Sequence, residues 1–173
     1  MERTDEMPTT PRRFVVQRHR ARQLHYDLRF EIDGVLVSWA VPKGPTLDAG
    51  VKRMAIRVDD HSIDHIDFEG LISPGNPGAG DVIVWDRGTW EPYRADDPAA
   101  SLAAGELHAE VHGHKLRGRF VLLRRGADRS GKEQWLLLHK RDEHAVDGWD
   151  PEAHPVSVVS GLTNDELRRG VDR

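Results

Sequence analysis

The chemistry-bearing residues of this 173-residue chain gather in one short stretch, Leu24-His25-Tyr26-Asp27-Leu28-Arg29-Phe30. Leu, Tyr, Leu and Phe fall on one parity, and His25, Asp27 and Arg29 fall on the other. Successive side chains of a strand point to opposite faces, so this period puts the apolar set into a core and aligns imidazole, carboxylate and guanidinium outside it. His19 lies on the same parity as His25. Two histidines and a carboxylate can hold a divalent metal, and an arginine beside them can hold a phosphate. The same pattern also suits the solvated face of an antiparallel sheet, and residue chemistry alone leaves both readings open.

Three further groups could add to such a site. Val41-Pro42-Lys43-Gly44-Pro45 carries a lysine on a loop stiffened by proline, where a phosphate contact is readily placed. Val51-Lys52-Arg53-Met54 brings two cations to the head of the next strand. Asp59-Asp60-His61-Ser62-Ile63-Asp64-His65 supplies acids and two histidines, suited to metal ligation or proton donation.

The elements that must position these residues are mostly strands. Phe14-Val15-Val16 opens one and Leu24–Ile32 makes the next. Asp33-Gly34 signals a hairpin into Val35–Val41. Met54–Val58 and Asp81–Trp85 follow, with Gly88–Tyr93 expected to pair back across Asp86-Arg87. A helix is predicted at Pro98–Ala104, with Asp97 as cap, Pro98 in its first turn and Gly105 as its stop. Strands resume at Glu106–Val111, Lys115–Arg124 and Glu133–Lys140. The chain is expected to end in a short capped helix near Thr163–Arg169. About eight short, evenly spaced strands predict a closed β-barrel with an apolar interior, flanked by one or two short helices. Trp39, Trp85 and Trp135 are assigned to that interior. The expected organisation is an N-terminal arm over 1–12, the barrel over 13–146, and a C-terminal tail with its helix over 147–173.

Composition narrows the chemistry. The chain has no cysteine, which excludes disulfides, thiolate metal sites and a cysteine nucleophile. No apolar run approaches membrane-spanning length, so the expectation is a cytoplasmic protein without membrane contact. Net charge is −4, yet Arg12 to Arg57 holds ten Lys or Arg against four Asp or Glu. A phosphate backbone responds to such a local patch rather than to the global balance.

In order along the chain, Phe14–His19, Leu24–Arg29, Gly34–Pro45, Asp60-His61, Asp67–Gly70 and Gly78–Trp90 resemble the 3′-phosphoesterase domain of bacterial DNA ligase D. Lys115-Leu116-Arg117-Gly118 and Trp135–Lys140 continue the likeness, which runs through nearly the whole chain. The resemblance implies a barrel with its active site on the outer surface. It implies a manganese-dependent enzyme, with other divalent transition metals as substitutes. Such an enzyme removes 3′-terminal ribonucleosides and 3′-phosphates to leave a ligatable 3′-hydroxyl in non-homologous end joining. Position by position, His19, His25 and Asp27 match metal ligands. Arg29 and His61 match residues that engage the scissile phosphate, and His65 falls at a further catalytic position. Gln17, Lys43, Arg53 and Arg3 match phosphate or nucleic-acid contacts, and Asp59 a supporting acid. The implied partners are DNA or RNA/DNA 3′ ends and a DNA ligase, a polymerase or an end-bridging protein. A monomer, nucleoid-associated when bound to DNA, is expected.

Three positions depart from the family pattern. His65 stands where a tyrosine is usual, Asp59 where a glutamate is usual, and Ile72–Gly78 lacks the usual acidic and tyrosine residues. These departures motivate a second reading, a catalytically weakened DNA-end-binding module of the same fold.

Overall fold

The structure, a computed structural model, describes residues 11–171. Nine strands form one antiparallel sheet: β1 (Arg12–Arg20), β2 (Leu24–Ile32), β3 (Val35–Val41), β4 (Lys52–Ser62), β5 (Gly70–Ile72), β6 (Gly80–Pro92), β7 (Glu106–Gly113), β8 (Arg117–Ala127) and β9 (Glu133–His139). Their spatial order is β1-β2-β3-β4-β9-β8-β7-β6, and β1 pairs with β6 to close an eight-stranded barrel, with β5 added against β6. Closure removes the free edges that an open sheet would expose. The expected closed barrel is therefore observed.

The barrel interior follows the alternation in β2. Tyr26, Leu28 and Phe30 join Phe14, Val16, Trp39, Trp85, Trp90 and Trp135 in one buried cluster. Trp39, Trp85 and Trp135 lie there as predicted, and Trp90 joins them. Each fully buried tryptophan contributes roughly 4–6 kcal/mol of transfer free energy, from 150–250 Å² at about 25 cal/mol per Å².

Helix α1 (Pro98–Ala104) forms where Asp97 caps it and Gly105, at φ 82°, ends it. Helix α2 (Asn164–Val171) closes the described chain. Asn164 is buried and donates from Nδ2 to the carbonyls of Arg18 and Asp81, which docks α2 against β1 and β6. Among the described residues no helix is long and apolar enough to cross a membrane.

Two expectations are corrected. Asp81–Trp85 and Gly88–Tyr93 are not a hairpin but parts of one continuous strand, β6. It pairs with β1 along one edge and with β5 and then β7 along the other. The Asp86 carboxylate is committed elsewhere: it accepts from the backbone N–H groups of His114, Lys115 and Leu116 and so holds the β7–β8 turn. The first strand also starts earlier than Phe14, because Arg12 already pairs with Trp90.

The outer wall is not uniformly solvated. A 3-10 helix, Ile63–Asp67, folds back over it, and its Ile66 packs on Val15, Leu36 and Val84 in a second, smaller core. This patch holds the 3-10 helix beside the polar row of β2.

Candidate active site on the outer wall

Register brings the polar residues of two strands side by side. His19 pairs with His25, Gln17 with Asp27 and Val15 with Arg29. On the other side of β2, Asp27 faces Ala40 and Arg29 faces Ser38. Small residues there leave room for the longer side chains between them. His19, Asp27 and Arg29 are all buried.

One ligand atom from each of His19, His25 and Asp27 lies within 4.8 Å of the others. Nδ1 of His19 is 3.5 Å from one Asp27 oxygen, and Nε2 of His25 is 3.2 Å from the other. The outer nitrogens of both rings face backbone carbonyls: His19 Nε2 meets Gly78 O at 2.6 Å and His25 Nδ1 meets Gln23 O at 3.1 Å. A carbonyl accepts only, so the ring hydrogen of each neutral imidazole resides on that outer nitrogen. The inner nitrogens then present bare lone pairs toward a carboxylate. Such a convergence repels itself unless a proton or a cation sits within it, and the donor set therefore fits a divalent metal ion.

The electrostatics agree. Burial opposes ionisation of Asp27, but hydrogen bonds from His19 and His25 and the charge of Arg29 hold its pKa well below the usual carboxylate range. Burial opposes charging of His25, yet Asp27 raises its pKa.

Gly78 is the residue that carries the His19 acceptor. Its φ is 76°, and a Cβ there would lie 3.3 Å from the His19 ring. Gly80 is tighter still, because a Cβ would meet the Arg20 carbonyl at 1.9 Å. The loop can wall the histidine only where glycine stands at both positions.

Arg29 is held on every side. Its Nε donates to Gln17 Oε1 at 2.8 Å, Nη1 donates to Ser38 Oγ at 2.9 Å, and Nη2 is 3.5 Å from Asp27. Nη1 also lies 3.1 Å from His61 Nδ1. Nδ1 of His61 thus stands between a donor, Arg29 Nη1, and an acceptor, the Asp59 carbonyl at 2.9 Å, and the two neutral tautomers each satisfy one of these contacts. Burial and the neighbouring Arg29 lower the His61 pKa and favour the neutral ring.

His61 reaches the site through a bulge. Ser38 pairs with Val58 and Leu36 with His61, so Asp59 and Asp60 together oppose Val37. Without the extra residue, strict alternation from Val58 would turn His61 to the other face. Asp59 approaches His61 with its carbonyl, at 2.9 Å from Nδ1. His65 stands in the 3-10 helix with its ring 5.0 Å from that of His61 and stacked on Phe68 at 5.4 Å. Burial and then Arg29 and His61 lower its pKa.

Gln17 is placed as a brace. It is buried, and Nε2 donates to the carbonyls of His65 and Phe68, each at 3.1 Å, while its oxygen accepts from Arg29. Both amide hydrogens are therefore used within the protein. Lys43 and Arg53 line a separate cleft with Pro42, Lys52 and Met54 at the end of β3. Val41 pairs with Tyr26, so this cleft continues past the His25 end of β2. Arg53 Nε donates to Gly44 O at 3.0 Å. Arg3 lies outside the described residues. Ser38 and the Gly78 carbonyl were not singled out from the sequence. Ser38 had a signal, a lone hydroxyl within Leu36-Val37-Ser38-Trp39 on the parity of the site. A loop carbonyl has none.

Fold and site together define a closed antiparallel barrel whose outer wall carries a histidine–carboxylate–arginine cluster suited to a cation beside a phosphate. The family profile described as the DNA ligase D 3′-phosphoesterase domain matches residues 17–124. The chain belongs to this family. It is 50% identical over 154 residues to the multifunctional non-homologous end joining protein LigD of Pseudomonas aeruginosa, covering 87% of this chain and 18% of that protein. It is 46% identical over 155 residues to the multifunctional non-homologous end joining DNA repair protein LigD of Mycobacterium tuberculosis, covering 86% and 19%. With LigD of Mycolicibacterium smegmatis the identity is 41% over 146 residues, covering 80% and 18%. The chain thus spans less than a fifth of the length of these relatives.

Proposed function

We propose that this chain is a metal-dependent phosphoesterase that trims nucleic-acid 3′ ends, removing a terminal ribonucleoside or 3′-phosphate to leave a 3′-hydroxyl for end joining. The observation that carries this reading is the convergence of His19 Nδ1, His25 Nε2 and the Asp27 carboxylate beside a fully braced Arg29. Family membership supports the same reaction class, and manganese is the ion it favours.

His19, His25 and Asp27 would hold the ion. When bound, such an ion would supply Lewis-acid polarisation of the phosphoryl group and activation of the attacking water. Arg29 neutralises charge on the non-bridging oxygens, and its fixed geometry means little reorganisation accompanies the reaction. His61, neutral and accepting from Arg29 at Nδ1, would donate Nε2–H to the same phosphoryl group or to the departing oxygen. His65 is a second imidazole at that group. Gln17 acts by positioning Arg29, and Asp59 is assigned a supporting role beside His61. Lys43 and Arg53 supply cations on the His25 side, and Arg3 is assigned a place on the same substrate.

In this reading residues 13–146 form the catalytic barrel, preceded by an N-terminal arm over 1–12 and followed by a C-terminal tail with its short helix over 147–173. The substrate is a DNA or RNA/DNA primer–template in the cytoplasm, at the nucleoid. A ligase, polymerase or end-bridging protein acts on the same end, and the domain works as a monomer.

The test is incubation with Mn²⁺ and a primer–template that ends in a 3′-ribonucleotide or a 3′-phosphate. The expected products are the shortened and the dephosphorylated strands. A protein that retards the DNA but yields neither product is an end-binding module, and the proposal fails.

A further inference from the structure

A second cleft opens on the His19 side of the site, opposite the one lined by Lys43 and Arg53. Its volume is about 470 Å³, and its walls include Arg20, Arg22 and Arg168 with Leu71, Ile72 and Pro74. Among the described residues no acidic side chain lines it. One loop links it to the metal-ligand cluster. The wall residues Ala79 and Gly80 directly follow Gly78, whose carbonyl meets His19, while Arg20 follows His19 at the end of β1 with its side chain turned to the other face, toward Asp81.

Two of the arginines are fixed in place from below. Asp81 is 1% exposed and accepts from Arg20 Nε at 2.8 Å and Nη2 at 3.0 Å, and from Arg168 Nε at 2.8 Å. Asn164 Nδ2 donates to the same carboxylate at 2.8 Å. Burial opposes ionisation of Asp81, but Arg20, Arg168 and Asn164 lower its pKa, so it stays a carboxylate under two guanidiniums. Arg20 is further balanced by Asp165. Arg168 pairs only through Nε among the described residues, and its side chain is 48% exposed. Arg22 stands exposed at the tip of the β1–β2 hairpin and makes no ion pair among the described residues.

We infer that this cleft holds the phosphate backbone of the strand whose 3′ end enters the His19–His25–Asp27 site. The inference rests on the phosphoesterase reading above. Preorganised guanidiniums suit phosphate oxygens, and the apolar wall of Leu71, Ile72 and Pro74 suits the sugar and base edges between phosphates. Arg168 lies outside residues 17–124, so the C-terminal helix adds a nucleic-acid contact beyond the stretch that the family profile matches.

The experiment compares wild type, Arg22→Glu and Arg168→Glu on 3′-phosphorylated dinucleotide and octanucleotide strands, with Arg125→Glu, exposed on β8, as the control. Affinity is read by fluorescence anisotropy across a salt series, and turnover at saturating Mn²⁺. Both cleft variants are expected to bind the octanucleotide about tenfold more weakly, with a salt slope lower by about 0.7 for each phosphate no longer neutralised. The dinucleotide, too short to fill the cleft, should lose less affinity than the octanucleotide in both cleft variants, and Arg125→Glu should match wild type on both strands. Arg22 makes no ion pair among the described residues, so its variant tests binding apart from folding. Cleft variants that match wild type on the octanucleotide overturn the inference while wild-type turnover keeps the phosphoesterase reading. An inert wild type whose octanucleotide binding still depends on Arg22 overturns only the phosphoesterase reading. A wild type that neither binds nor processes the strands overturns both.

Discussion

Gln17 accepts a hydrogen bond from Nε of Arg29 at 2.8 Å, and the same amide donates to the carbonyls of His65 and Phe68. One buried side chain thereby ties the guanidinium of β2 to the 3-10 helix that carries His65. Replacing it with leucine removes three hydrogen bonds and leaves a buried guanidinium N–H unmet. Gln17→Leu is expected to lower stability by about 4–6 kcal/mol, since each of the three bonds contributes about 1 and the unmet donor costs 1–3. Turnover should fall by up to roughly a hundredfold, as it does when a positioned group shifts by an ångström. Urea denaturation and single-turnover kinetics read the two effects. Unchanged turnover in a stably folded variant would remove the positioning role.

Asp27 is the group without which the two imidazoles have no reason to share a cation. Asp27→Asn keeps the shape but removes the charge, so Mn²⁺ should no longer raise the melting temperature. In the wild type, saturation at a hundred times Kd adds about 2.7 kcal/mol. The metal-free protein gives a second readout. Because the folded pKa of Asp27 is depressed, its contribution is present above the unfolded carboxylate pKa and is lost as pH falls through the folded value. Asp27→Asn should therefore flatten the acid side of the stability curve. A metal-dependent melting shift that survives in the variant would sink the assigned ligand set.

How much of the molecule is legible in its sequence differs from residue to residue. His25, Asp27 and Arg29 are legible because they alternate with Tyr26, Leu28 and Phe30, all buried in the barrel. That period survives in any regular strand. His61 is different, because a strict period in β4 puts it on the wrong face and only the bulge opposite Val37 restores it. A bulge is one residue of local geometry and leaves no compositional trace at Asp59-Asp60. The continuity of β6 is hidden for a related reason. Asp86-Arg87-Gly88 looks like turn chemistry, yet the Asp86 carboxylate caps a turn that lies some thirty residues on in the chain. The cleft beneath α2 has no sequence signal, since Asp81 meets Arg168 only once the C-terminal segment has folded back.

Asn164 carries that return. Its Nδ2 donates to Arg18 O, Asp81 O and Asp81 Oδ1, and its Oδ1 accepts from Arg18 Nη1 at 2.7 Å. Arg18 and Arg20 flank His19, so the anchor also steadies a metal-ligand candidate. Asn164→Ala is expected to cost about 4–6 kcal/mol, from four hydrogen bonds at about 1 each and the buried groups left unpaired. Limited proteolysis should then cut near α2 faster than elsewhere. Cleavage that stays at the wild-type rate would show that α2 is held by other interactions.

Lys115 gives the fold a distinct alkaline signature. Its Nζ donates to Trp85 O at 2.7 Å and to Val156 O, and it sits 4.5 Å from the Trp85 ring centre. Burial pulls its pKa from 10.5 down to about 8, with Asp86 partly opposing. The folded protein thus releases this proton before the unfolded chain does. Below about pH 8 both states hold it and the cost is present in full. Between about 8 and 10.5 the unfolded chain holds more protons, so stability contributed at this site rises with pH. The backbone carbonyls lose donors over the same range, but the neutral amine still offers two hydrogens. Lys115→Met should lack the rise, since methionine has no proton to release. Urea midpoints taken between about pH 7 and about pH 9.5 stay clear of tyrosine ionisation in the unfolded chain. The wild type should gain on the variant across that interval, and parallel midpoints would mean that Lys115 titrates alike in both states.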